Sequence, residues 1–223
     1  MTKKNQKVRS DDKEIQAELN KDDFRVAIYG SARLKKGDDV YEMVRNLAQQ
    51  CGKWKFDVVT GGGPGLMEAA NLGHEEGDGN GGSDNIGLTI ELPWEAKGNK
   101  HLEIKKHFNK FSDRLDHFAA LSSVFVVMPG GIGTALELFY TWQLIQVKHI
   151  KPVPIIVVGE MWAKLIDWVR ENPVKLGLVS PGDLDFVHVA MDENEAMEII
   201  LAEKEKFVSG EHSGNEEYIN GDK

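Results

Sequence analysis

The chain has 223 residues, 41% of them hydrophobic, enough for one substantial core and a single domain rather than two. Its formal net charge is −9 and its basic residues are mostly scattered, which disfavours a nucleic-acid backbone as partner. A single cysteine, Cys51, excludes a disulfide framework and a cysteine-rich metal site; with no export signal and no run of about 18 apolar residues, the expected location is the cytoplasm, without a membrane segment.

Residues 1–22 are polar and read as an extension that frays or wraps a neighbour. The domain itself is expected over 23–209, followed by a polar tail over 210–223. The first strand is expected at 24–30 (FRVAIYG), followed by the turn YGSARL and a helix over 38–52. A second strand at 56–61 runs into TGGGPGLM and a helix over 65–76. The segment GHEEGDGNGGSD, 73–84, reads as a flexible surface loop without chemistry. A third strand is expected at 85–92, a helix at 109–121, and a strand at 123–130 that ends in PGGIGTALE. The remaining pattern gives a helix at 134–148, a strand at 153–159, a helix at 160–171, a strand at 186–192 and a helix at 193–208. The strand runs are apolar almost throughout, as strands covered on both faces are, so the fold class is α/β with a doubly wound, mainly parallel sheet.

In such sheets ligands bind at the carboxyl ends of the strands, where chains turn into helices. Glycine lets backbone N–H groups approach a ligand there, and the following helix N-terminus favours an anion, so a phosphorylated small molecule is the natural ligand. Neither glycine turn fits the Walker A pattern, and neither is the dinucleotide fingerprint in its usual place.

GGGPGLMEAAN (61–71) together with PGGIGTALE (129–137) resembles the paired signatures of the LOG family, which includes cytokinin-activating phosphoribohydrolases and nucleotide 5′-monophosphate nucleosidases once labelled lysine decarboxylases. The likeness extends over roughly 24–190, including YGSAR, IGLTIELPWE and the helix carrying Arg114. It implies a Rossmann-like fold, a homodimer and hydrolysis of the N-glycosidic bond of a purine nucleoside 5′-monophosphate such as AMP, giving free base and ribose 5-phosphate. By position, Glu137 and Arg114 match the catalytic pair, and Gly130, Gly131, Gly133 and Thr134 match the phosphate cradle. Ser31, Gly61, Gly62, Gly63 and Glu68 are further candidates for substrate contact, and Arg33 could reach phosphate or base.

The chemistry suits these residue types. A carboxylate at Glu137 would stabilise an oxocarbenium-like state and orient water, while a permanently charged guanidinium at Arg114 would hold that carboxylate and bind ribose or phosphate oxygens. Other readings stand beside this one. Thr134-Ala-Leu-Glu137 is also a capping box, and Arg114 could be a solvated helix residue paired to Asp113 or Asp116. Many family members carry lysine after this arginine, whereas Leu115 stands here, which leaves the preferred base open. A non-catalytic nucleotide-binding or sensor module would use the same crevice. The seven histidines form no metal-ligand pattern, and no lysine is placed to carry pyridoxal phosphate, so no metal or cofactor is expected. The helix after PGGIG is apolar nearly all round, leaving one face for a partner chain. Trp142, Trp162 and Trp168, at helical spacing, read as core or subunit contacts.

Overall fold

A computed structural model describes residues 12–90 and 98–211. Seven parallel strands form one sheet: β1 (Arg25–Tyr29), β2 (Asp57–Thr60), β3 (Asn85–Ile90), β4 (Ile104–Phe108), β5 (Val124–Val127), β6 (Ile155–Val158) and β7 (Val187–Ala190). Their spatial order is β4-β3-β2-β1-β5-β6-β7, so the winding reverses between β1 and β5. Seven α-helices accompany them among the described residues: α1 (Asp12–Leu19), α2 (Asp39–Lys53), α3 (Leu66–Asp78), α4 (Phe111–Leu121), α5 (Ile132–Gln146), α6 (Glu160–Val169) and α7 (Glu193–Ser209).

The apolar strand runs reflect two cores. Ala27 and Tyr29 of β1 face a cluster with Phe118 of α4, Leu138 of α5 and Trp162 of α6, while Val26 and Ile28 face Val44 of α2, Ala70 of α3 and Ile200 of α7. Side chains alternate across a strand, so both sets must be apolar when helices cover both faces. Trp142 and Trp162 belong to the first core, donating Nε1–H to the Asp183 and Met128 carbonyls, whereas Trp168 is exposed. Cys51 is buried in the second core, and burial pushes its thiol up to about 12, so it is no nucleophile.

Three expectations are corrected. Residues 12–19 do not fray: α1 buries Ile15 and Leu19 in the first core. Its end is pinned by the buried Arg25, which donates to the Glu18 carbonyl (2.8 Å) and the Lys21 carbonyl (3.2 Å) and pairs with Glu18, Asp23 and Asp57. Those three carboxylates come close enough together to hold a metal, yet the Arg25 guanidinium already lies against all three. Polarity misled because Glu18, a charged residue of this segment, is buried against Arg25.

The expected helix over 65–76 runs on to Asp78 as α3, so residues 73–78 of the expected loop 73–84 are helical. A Cβ on Gly73 would sit 2.0 Å from the Arg45 carbonyl oxygen, and one on Gly77 2.0 Å from that of Gln49, so these glycines let α2 and α3 touch backbone to backbone. His74, Asp78 and Ser83 are buried and hydrogen-bonded to one another's neighbourhood: His74 Nε2 lies 3.0 Å from the Phe56 carbonyl oxygen and 2.9 Å from Ser83 Oγ, which donates to Asp78. The third correction is β4, an edge strand in a segment read as having no element; its Lys105-Lys106-His107 centre is only partly covered and shows no apolar run. The last two residues of the expected strand 85–92, the stretch ELPWE, and residues 212–223 of the tail lie outside the described residues. Among the described residues no helix is long and apolar enough to cross a membrane.

Candidate functional site

Three strand-to-helix turns are tied together at the reversal of the sheet. The Ser31 N–H donates to the Pro129 carbonyl (3.2 Å), and the Leu66 N–H donates to the Ser31 carbonyl (2.9 Å), so the turn after β1 is held between those after β5 and β2. Gly65, with φ +71°, makes this possible, because a Cβ there would lie 2.5 Å from the Ser31 carbonyl oxygen.

These turns enclose a cavity of about 450 Å³. Glu137 and Arg114 face each other in it, with Arg114 Nη1 3.4 Å from Glu137 Oε1. Arg114 is 8% exposed, so it is not a solvated helix residue. Its Nε–H donates to the Leu88 carbonyl at 2.7 Å and its guanidinium lies over the Phe118 ring, 5.3 Å from the centroid. Asp113 and Asp116, its expected alternatives, bond Ser112 and Tyr140 instead.

The capping-box reading of Glu137 also fails. The helix α5 starts two residues earlier than its expected boundary, its N-cap is Gly131, and no side chain caps it, so Thr134 is already inside the first turn. Glu137 therefore lies beyond the first turn of α5 rather than three residues after its N-cap. No acidic residue occupies the first turn, and a Cβ on Gly131 or Gly133 would meet nothing within 4 Å. An uncapped helix N-terminus behind open glycine backbone opens into the cavity, the arrangement that binds phosphate or carboxylate oxygens.

The structure brings Ser31, Gly61, Gly131, Gly133 and Thr134 to the same cavity as Arg114 and Glu137. Gly61 earns its place differently from a phosphate cradle: a Cβ there would lie 2.3 Å from Arg114 Nη2, so its absence makes room for the guanidinium. Gly130 stands behind the lining, where a Cβ would collide with Thr134 Oγ1 at 2.1 Å. Gly62, Gly63 and Glu68 are not brought to this cavity. Gly62 packs under Thr89 and Leu102 with φ +69°, the Gly63 carbonyl accepts from Asn99, and Glu68 lines a neighbouring groove.

Sequence reasoning missed Tyr29, whose ring is buried at the cavity floor and whose hydroxyl lies 3.4 Å from Thr141 Oγ1. Burial, and then the charge of Glu137, push its phenol well above the usual range, so it stays a neutral hydrogen-bonding group. Inside an apolar strand run, nothing but its position just before Gly30 could have marked it. Apolar walls come from Met67, Ile90, Phe111, Leu115 and Leu136, a surface suited to a base or ring. Leu115, where many LOG members have lysine, is one of these walls.

The sequence model of a family described as possible lysine decarboxylase matches residues 67–200. Among solved structures, the molybdenum cofactor carrier protein of Chlamydomonas reinhardtii is 23% identical, with 82% of this chain and 97% of that one covered and a TM-score of 0.59. The molybdenum cofactor binding protein of Rippkaea orientalis is 17% identical, covering 81% and 96%, with a TM-score of 0.59. DNA processing protein A of Helicobacter pylori is 16% identical, covering 87% and 85%, with a TM-score of 0.54. At these identities the likeness is one of fold. A comparison with curated proteins finds no match.

Proposed function

The chain belongs to the possible lysine decarboxylase family, the LOG family of the sequence resemblance, and from that premise we propose that it hydrolyses the N-glycosidic bond of a purine nucleoside 5′-monophosphate. The observation that carries this reading is the pairing of Glu137 with Arg114 at 3.4 Å in a cavity shared with the uncapped N-terminus of α5. The 5′-phosphate would accept from the N–H groups at Gly131, Gly133 and Thr134, with the α5 dipole favouring its charge. That anchor would set the ribose against Glu137. As the bond to the base lengthens, positive charge grows on the anomeric carbon and ring oxygen, and the carboxylate stabilises it and orients the attacking water. Arg114 stays protonated, so it is no base; it keeps Glu137 in place and can donate to ribose oxygens through its remaining N–H groups. No metal or cofactor enters this scheme.

Incubation with a panel of nucleoside 5′-monophosphates, with adenosine as the phosphate-free control, tests the reading by chromatography of released base. AMP or a relative should yield base and adenosine should not. Glu137→Gln should keep nucleotide binding and lose about 10²-fold or more in turnover, because shape is retained while the charge is removed. Full activity in that variant would overturn the role of Glu137.

A second reading is favoured by the structural neighbours, two of which carry or bind molybdenum cofactor. On it, the same cavity binds a phosphorylated ring compound without cleaving it. Nucleotide-induced thermal stabilisation with no base release from any monophosphate would select that reading. Either function fits a homodimer built on α5, where Ile132, Leu136, Phe139 and Val147 form an exposed apolar stripe.

A further inference from the structure

Tyr29 ends β1 and is 2% exposed, packed in the first core at the floor of the cavity that holds Arg114 and Glu137. Its ring meets Phe118 edge-on at 5.0 Å and stacks on Phe125 at 5.8 Å. A phenylalanine would make both contacts, so packing does not call for the hydroxyl, and a buried hydroxyl is costly unless it is bonded. Yet the one hydrogen bond it makes among the described residues, with Thr141 Oγ1, is 3.4 Å long. Two hydroxyls ordinarily bond at roughly 2.7 Å. Thr141 alone therefore gives a weak reason for a tyrosine here.

The surroundings of that hydroxyl give a stronger one. Thr141 stands one turn after Glu137 on the same face of α5, and side chains on a helix lean towards its N-terminus, so the Tyr29 and Thr141 hydroxyls meet at the turn that carries Glu137. Phe118, which the Tyr29 ring abuts, is also the ring under the Arg114 guanidinium. Tyr29 thus touches the footing of both members of the Glu137–Arg114 pair. Burial first, and then the Glu137 charge, keep the phenol protonated, so the carboxylate faces a neutral O–H rather than a second anion. The other charged side chains lining the cavity are Arg114 from α4 and Arg33 at the rim.

We propose that Tyr29 is a positioning residue for the hydrolysis: its hydroxyl is directed at the Glu137 carboxylate and holds it, charged, towards the anomeric carbon, while its ring steadies Arg114 through Phe118. This rests on the reading of the cavity as a nucleotide hydrolase site. A hydroxyl hydrogen turns about its C–O bond, and a carboxylate is a far better acceptor than a distant hydroxyl oxygen. With the hydrogen so directed, the phenol oxygen is left to accept from Thr141.

The pH dependence of cleavage by Tyr29→Phe, measured on the monophosphate that wild type cleaves fastest, tests this. Glu137 acts only when ionised, so kcat/KM rises with pH through its pKa; loss of an O–H donor raises that pKa, and the acid limb should move up by about one pH unit. The plateau of kcat should fall about tenfold with KM within about twofold, because the hydroxyl holds Glu137 and not the substrate. Thr141→Val, which removes the long bond and keeps the phenol, should not move the limb upward. Urea titration of both variants separates loss of fold from loss of rate. An unmoved limb and unchanged kcat in Tyr29→Phe would overturn the inference and leave the hydrolase reading standing, as would an equal upward shift in Thr141→Val. A Tyr29→Phe chain that does not fold assigns the hydroxyl to the core and overturns it as well. If wild type cleaves no monophosphate, the hydrolase reading falls and this inference with it.

Discussion

Arg114 is held by four independent constraints: the Leu88 carbonyl, the Phe118 ring, the Glu137 carboxylate and the missing side chain at Gly61. The last is the least visible and the easiest to test. In Gly61→Ala the new methyl would overlap Arg114 Nη2 and approach Met67 Sδ at 2.7 Å, so the guanidinium must move. Displacement of a positioning group by about 1 Å costs on the order of 10²-fold in rate. Nucleotide cleavage by this variant should therefore fall by roughly that factor with its unfolding midpoint little changed; unaltered kcat/KM would remove Arg114 from the mechanism.

A second residue acts at the opposite end of the sheet. Asp57 opens β2, is 5% exposed, accepts from the Asp84 N–H at 2.7 Å and shares Arg25 with Glu18 and Asp23. Burial raises its pKa to about 7, against the partly offsetting Asp84 hydrogen bond and Arg25 charge. The folded chain then keeps this proton up to about pH 7, while the unfolded chain releases it near the ordinary aspartate value of about 4. Its contribution to stability is thus greatest below about pH 4 and is lost as pH rises to about 7. In Asp57→Asn that component disappears, so the stability difference between wild type and variant should change by about 2–4 kcal/mol between pH 4 and pH 8 in urea titrations. A difference independent of pH would show that Asp57 is ionised throughout.

At the scale of elements, the contact of α2 with α3 determines where the second glycine turn lies. Gly73 and Gly77 are one helical turn apart and both face α2 carbonyls at distances that no Cβ tolerates. Gly77→Ala gains about 1 kcal/mol of intrinsic helix propensity. Overpacking a close helix contact costs about 1–3 kcal/mol. The variant should therefore be net destabilised in urea titrations; a raised midpoint would mean that the helices do not approach this closely. The same packing carries the N-terminus of α3 and its Gly65 turn against the Ser31 loop, linking a structural seam to the cavity wall.

At the scale of the whole molecule, the exposed stripe on α5 is continuous with the cavity rim, since Ile132 and Leu136 belong to both. The proposed homodimer would bury Ile132, which is 88% exposed in the isolated chain, along with Phe139. Light scattering on the full chain should give twice the mass of 24.9 kDa, and Phe139→Glu should give the monomer mass, because a charge in an apolar contact is not solvated. A monomeric wild type would leave the stripe without this partner.

The sequence by itself determined the fold class: apolar strand runs alternating with amphipathic helices specify a mainly parallel sheet, because strands covered on both faces carry mostly apolar side chains, whereas the polar edge strand β4 left no such run to read. It also supplied the paired glycine signatures, and through them Glu137 and Arg114 as candidates. It could not separate a capping Glu137 from one facing Arg114, since Thr134-Ala-Leu-Glu137 satisfies the local rule for a cap equally well. That was decided when α5 began at Ile132, leaving Gly131 as cap. Likewise, Gly77 and Asp78 carry the local signature of a loop, and the extension of α3 to Asp78 goes with the close approach of α2 at Gly73 and Gly77. Ile15 and Leu19 looked too sparse for a core until β4 and α4 supplied the rest of it. In each case the deciding partner is distant along the chain, so the information lies in the packing and not in any local run of residues.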